Sequence, residues 1–204
     1  MPVAPGPIET ISYLALVVYL TGFLVLTRRA SKAAARSVWL FGEGPFVQRL
    51  SALLFRVSFV GSIAWPLGRM MLLSTSPSGL GVPAVSESFV LALLGMSMTA
   101  LGATIALYSQ HYMGASWRIG AAEGQLGSMV ESGPFAVSRN PVFVGQAMLF
   151  AGLLLVFPDV IQGLLTLMLL IAIRLQVHLE EQALSATLGE PYRAYLRRVR
   201  RWIG

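Results

Sequence analysis

The feature that most constrains this chain is a series of apolar runs long enough to cross a lipid bilayer. Positions 88–108 hold no charged residue, 8–27 hold only Glu9, and 50–73 carry Arg56 and Arg69. A bilayer core takes about 20 helical residues to cross, and only a helix or closed barrel satisfies the backbone there. Two shorter runs, 142–157 and 160–173, are separated only by Pro158 and Asp159. So short a break folds consecutive helices back on one another as a hairpin. Only 12% of the 204 residues are charged, about half the share of a soluble domain. The expected fold is all-α and polytopic, with about five transmembrane helices. The last two form a C-terminal helical hairpin, and a cytoplasmic amphipathic helix follows.

Charge orients this arrangement. Apart from Arg56 and Arg69, every Lys and Arg falls within 28–49, 109–141 or 174–204. The positive-inside rule keeps such segments in the cytoplasm, which puts the N-terminus outside and the C-terminus inside. Residues 74–88, rich in Gly, Pro and Ser, form an outer loop. Arg56 and Arg69 are expected to face other helices or to snorkel, since charge at the bilayer centre costs at least ~2.5–3.5 kcal/mol. The first run is longer than a signal-peptide core and lacks a small-residue cleavage site, so it is read as a retained helix. Gly95, Ser97, Thr99, Ala100, Gly102 and Ala103 in the third run favour close helix packing. The chain divides into N-terminal transmembrane helices, 1–108, and a C-terminal unit, 109–204, that opens polar and Gly-rich.

Several function classes drop out. The net charge of +6 is accounted for by cytoplasmic helix ends facing anionic lipid, and no nucleic-acid recognition module accompanies it. With no cysteine and two histidines, the chain lacks ligands for a thiolate or histidine-built metal site, so no metal is expected. No Gly-x-Gly-x-x-Gly fingerprint marks a Rossmann domain.

The polar groups around the hairpin are the candidates for chemistry. Arg174, His178 and Glu181 follow at i, i+4 and i+7, so one helix face carries all three, while Glu180 points elsewhere. Ionisable groups at this depth mark functional sites, although helix-end pairing with headgroups also fits the spacing. Upstream, Gly133-Pro134 makes a turn and Asn140-Pro141 leads into the hairpin, with Arg139 near a helix N-terminus able to hold an anion. Downstream, Gly189 closes one helix and Glu190-Pro191 open another. Tyr192, Tyr195, Leu196, Val199, Trp202 and Ile203 share one face of it, and Arg193, Arg197, Arg200 and Arg201 the rest, as in a helix lying on the cytoplasmic leaflet.

Taken in order, these motifs resemble the membrane methyltransferase family of isoprenylcysteine carboxyl methyltransferase and the phospholipid N-methyltransferases. That pattern runs Gly-Pro-Tyr, Arg-His-Pro-x-Tyr-x-Gly, a hairpin, Glu-Glu, then Gly-x-x-Tyr-x-x-Tyr and a basic end. Here it reads Gly133-Pro134-Phe135, Arg139-Asn140-Pro141, Phe143, Gly145, Glu180-Glu181, and Gly189 with Tyr192 and Tyr195. The likeness covers 130–204 well and 114–119 less specifically. Asn140 replaces the usual histidine and Phe143 the usual tyrosine, removing a titratable ring and a hydroxyl.

The resemblance implies an S-adenosyl-L-methionine-dependent enzyme with a cytoplasm-facing active site and a lipophilic acceptor: an isoprenylcysteine-like carboxylate, or a lipid amine or thiol. It implies cofactor binding by Gly133, Pro134, Phe135, Arg139, Asn140, Pro141, Phe143, Gly145 and Glu180, with Arg118 or Arg139 gripping the cofactor carboxylate. Arg174, His178 and Glu181 are the catalytic candidates: a cation would orient a carboxylate acceptor, and a base would deprotonate an amine or thiol. The alternatives are a membrane sterol-reductase-like NADPH enzyme, which shares a similar C-terminal arrangement, and an inactive scaffold of the same fold.

Overall fold

A computed structural model describes residues 6–35, 38, 45–75, 88–118 and 129–203, with backbone alone over 69–75. Among the described residues every regular element is helical: α1 (Pro7–Ala34), α2 (Phe46–Thr75), α3 (Phe89–Met113), a 3-10 turn (Gly114–Ser116), α4 (Pro134–Val137), α5 (Pro141–Val156), α6 (Val160–Leu188) and α7 (Glu190–Arg198). Arg36, Ile119, most of the expected outer loop and the Arg69 side chain lie outside the described residues. Arg56 is exposed on the surface of α2 and is not packed between helices.

Four helices, α1, α2, α3 and α6, are long and apolar enough to cross a membrane. The fifth expected span, α5, falls short at 16 residues, or about 24 Å. Pro141 starts it and the Phe157-Pro158 break stops it. It has little need to face lipid, because Val142, Gln146, Leu149, Phe150, Leu153 and Val156 are buried against its neighbours. On the α2 side, Phe55 stacks on Phe143 and Phe59 meets Phe150 edge-on.

The hairpin forms where the short break requires it. Asp159 caps α6 by accepting from the Gln162 amide at 2.8 Å. Its other oxygen accepts from Trp65 Nε1 at 2.9 Å, tying the turn to α2. The second leg does not end near Ile173 as its apolar run does. It continues to Leu188, 29 residues in all, or about 44 Å. Residues 174–188 contain neither Gly nor Pro, so a change of polarity alone does not break the helix. The polar feet therefore stand on a continuous helix.

The C-terminal helix differs from expectation in extent and in use. It ends at Arg198, with Val199 extended. Its apolar face packs within the protein: Tyr192, Tyr195 and Val199 are buried with Met129, Leu184, Leu188 and Leu196 around them. Only Trp202 and Ile203 of the expected stripe stay exposed.

Small residues set the α3–α5 contact. An added Cβ at Gly102 would lie 2.4 Å from the Leu149 nitrogen and 2.5 Å from the Gly145 oxygen. Gly95 and Gly152 make a similar approach one end of the helices away. We expect Gly102→Ala to force these backbones apart, costing about 1–3 kcal/mol and lowering the unfolding temperature in detergent. Gly68→Ala is the control, because its added methyl meets nothing within 4 Å and should leave the transition in place.

Candidate active site

At one end of the hairpin the elements leave an open cleft lined by charged and aromatic side chains. One wall comes from the end of α3 and the turn beyond it. Gly114, at φ 54°, starts a tight turn of left-handed backbone suited to glycine, and this delivers Trp117 and Arg118 to the cleft. Trp117 is anchored from behind: its Nε1 donates to Thr27 Oγ1 of α1 at 3.2 Å, and Phe23 meets its ring edge-on.

The opposite wall is the turn into α5. Gly133 has φ 58°, and a Cβ there would sit 2.5 Å from the Tyr112 ring, so only glycine fits both backbone and neighbour. It launches α4, which places Phe135 in the cleft, and the first turn of α5 adds Pro141, Val142 and Phe143. Tyr195 Oη donates to the Phe135 carbonyl at 2.7 Å, locking α7 onto this wall. The tail beyond α7 then lies against residues 138–140. The Arg139 amide donates to the Arg200 carbonyl at 3.0 Å, Ser138 Oγ to the Arg201 carbonyl at 3.3 Å, and Asn140 Nδ2 to the same carbonyl at 3.1 Å.

Two carboxylates on α6 close the cleft, and their surroundings differ. Glu181 is clamped between two guanidiniums. Arg139 lies 3.1 Å from its Oε1, while Arg201 donates from Nε to Oε1 at 3.1 Å and from its terminal nitrogen to Oε2 at 2.5 Å. That bidentate geometry is the strong form of the pair, and Glu181 raises the Arg201 pKa in return. Glu180 has no guanidinium in ion-pair contact among the described residues; its Oε1 accepts from Gln176 Nε2 at 3.0 Å. Arg118, itself buried, lines the same cleft. The Nε atoms of Arg118 and Arg139 are buried without a hydrogen-bond partner. Tyr192 and Tyr195 complete the lining; burial raises the pKa of both phenols, that of Tyr195 to about 12.

Of the residues singled out in the sequence, Arg118, Phe135, Arg139, Asn140, Pro141, Phe143, Glu180 and Glu181 meet in this cleft. Gly133 and Pro134 shape the turn beside it. Gly145 faces α3, where its added Cβ would lie 2.6 Å from the Ala106 nitrogen, and so serves packing. Arg174 and His178 are exposed and outside the cleft, with a His178 ring nitrogen 3.0 Å from Gln182 Nε2. The stripe of Arg174, His178 and Glu181 exists, but the inward row is Val177, Glu180 and Leu184, and only the Glu181 edge of the stripe reaches the site. Asn140 and Phe143, the two departures from the family pattern, hold the tail and stack on Phe55. Sequence reasoning missed Ser138, Leu184 and the pairing of Arg201. It also missed Gln176, which its i, i+4 spacing to Glu180 would have flagged.

An apolar helical bundle with four helices fit to cross a membrane, and a cleft at one end of its hairpin, has the form of an integral membrane protein with a candidate small-molecule site. Residues 90–190 match the family model described as phospholipid methyltransferase. Over that stretch, from the start of α3 to the start of α7, the chain belongs to the phospholipid methyltransferase family of membrane methyltransferases. No curated protein and no solved structure gives a match.

The docking of α7 carries a pH dependence of definite sign. Tyr195 has its folded pKa raised from 10 to about 12 by burial. Its contribution to stability is therefore complete below pH 10 and is lost as pH rises through 12. Tyrosine absorbance should show ionisation delayed past pH 10, with unfolding between these limits. Tyr195→Phe should cost about 1 kcal/mol at neutral pH and reduce the alkaline sensitivity.

Proposed function

We propose that this protein is an S-adenosylmethionine-dependent methyltransferase acting on a lipophilic acceptor, and that the cleft is its donor site. The observation that carries this reading is the conjunction, in one cleft, of two guanidiniums whose buried Nε atoms have no partner and a carboxylate, Glu180, with no ion-pair contact among the described residues. These match a ligand that bears both a carboxylate and cationic groups. Arg118 and Arg139 would hold the carboxylate, Glu180 would face the cationic end, and Trp117, Phe135 and Phe143 would supply apolar surface for the adenine. When bound, the donor supplies an electrophilic methyl group on a sulfonium.

The chain's residues then have to align and to exclude water, since in-line displacement depends on positioning. Glu181, paired with Arg139 and Arg201, serves to fix the entrance loop and tail. An amine acceptor would lose its proton most readily to Glu180. Arg174 and His178, outside the cleft, have no part in the chemical step. The acceptor would arrive from the bilayer, in which it is concentrated.

The position of α1 supports an orientation. Thr27 touches Trp117 in the cleft wall, so the adjoining Arg28 and Arg29 lie at the same end as the cleft. The positive-inside rule places that end in the cytoplasm, with the C-terminus inside and the N-terminus outside.

In detergent, S-adenosylmethionine and S-adenosylhomocysteine should raise the unfolding temperature, and NADPH should not. Arg118→Ala and Arg139→Ala should each weaken donor binding about tenfold or more. Labelled methyl transfer to phosphatidylethanolamine vesicles, set against a prenylcysteine and a lipid thiol, identifies the acceptor. Stabilisation by NADPH alone would replace this reading with a reductase, and by none of the three with a scaffold.

A further inference from the structure

Behind Glu180 a line of buried hydrogen bonds leaves the cleft and ends on another helix. Gln176, one turn earlier on α6 and 1% exposed, makes the Nε2 contact to Glu180 already described. Its amide oxygen accepts from Ser51 Oγ of α2 at 3.3 Å, and the same hydroxyl lies 3.2 Å from the Ala172 carbonyl. Ser51 is fully buried. The sense of the relay is fixed by chemistry. An ionised carboxylate only accepts, so Gln176 turns its NH₂ toward Glu180 and its oxygen toward Ser51, whose one hydrogen lies between two acceptors.

Helix packing alone does not call for an amide at 176. The neighbouring inward positions Ala172, Ile173 and Val177 are apolar and well buried, and an amide placed among them is costly unless it is paired. The contrast with Glu181 gives the amide a purpose. Glu181 is fixed by two guanidiniums, which hold it and cancel its charge. A neutral amide holds a carboxylate without itself cancelling the charge. Without it, the Glu180 side chain would sample several staggered rotamers, and ordering it would oppose binding.

We propose that Gln176 and Ser51 are positioning residues that aim the Glu180 carboxylate into the cleft and thereby set the affinity for a cationic methyl donor. This rests on the donor-site reading above. It brings α2, which precedes the family match at 90–190, into the working of the site.

The test uses the full chain in detergent, with S-adenosylmethionine binding measured by calorimetry without acceptor. Gln176→Met, close in length and volume, should weaken binding about tenfold or more, and Ser51→Ala a few-fold. In a Glu180→Ala background neither change should lower affinity further. Equal affinity in wild type and Gln176→Met, or a loss that persists undiminished in the Glu180→Ala background, would overturn the proposal. If the wild type binds no donor, the functional reading fails instead. The relay is then judged in the ligand-free protein from thermal unfolding of the same single and double variants: non-additive shifts uphold it, and additive shifts overturn it.

Discussion

The close approach of α3 to α5 is the constraint on which the rest depends. Inside a bilayer, lipid tails are as apolar as leucine, so helices associate through contact and have little hydrophobic gain from pairing. Gly95 and Gly102 let α3 lie backbone against backbone with Gly152 and Gly145 of α5. That contact allows a helix too short to span on its own to sit inside the bundle. It also sets where α5 begins, and the start of α5 is one wall of the cleft.

Around that wall, charge ties together pieces far apart in sequence. Glu181 on α6 meets Arg139 from the loop and Arg201 from the tail, and the backbone of 200–201 takes hydrogen bonds from 138–140. Removing one partner of such a partly buried group is costly, because the other is left desolvated. The loop, hairpin and tail therefore order together. Arg193 and Arg197 bridge to Glu190 out in solvent, where ion pairs contribute little. Sequence position alone does not separate these two kinds of arginine.

Much of the fold was legible in the sequence because the bilayer limits the options. Long apolar runs marked the helices, and Pro158-Asp159 marked the hairpin turn. The motif residues around 133–143 and 180–181 pointed to the cleft, since spacing along a turn and a helix preserves their neighbourhood. Rotation about the helix axis was not legible. Helical spacing fits the stripe at i, i+4 and i+7 through Arg174, His178 and Glu181 as well as the row at i, i+3 and i+7 through Val177, Glu180 and Leu184, and only packing against α2 and α7 decides which faces inward. The extent of α6 was misjudged for a related reason: apolarity reports the membrane boundary, and the helix ends where Gly189 breaks it. The tail contacts were illegible because they run mainly through backbone carbonyls, which carry no residue code.

The helices ahead of the family match are more than a membrane anchor. Thr27 of α1 receives both Trp117 Nε1 and Gln110 Nε2, which fixes the indole at the cleft wall and the end of α3 behind it. Ser51 of α2 stands behind Gln176 in the same way. Each is a small hydroxyl at a buried position, satisfying a larger polar side chain that an apolar residue in its place would leave unpaired. In a low-dielectric bundle such an unpaired group is expensive, so the polar residues of the site constrain what α1 and α2 can present to it. A site built on α3, α5 and α6 thus imposes sequence requirements on helices that never line it.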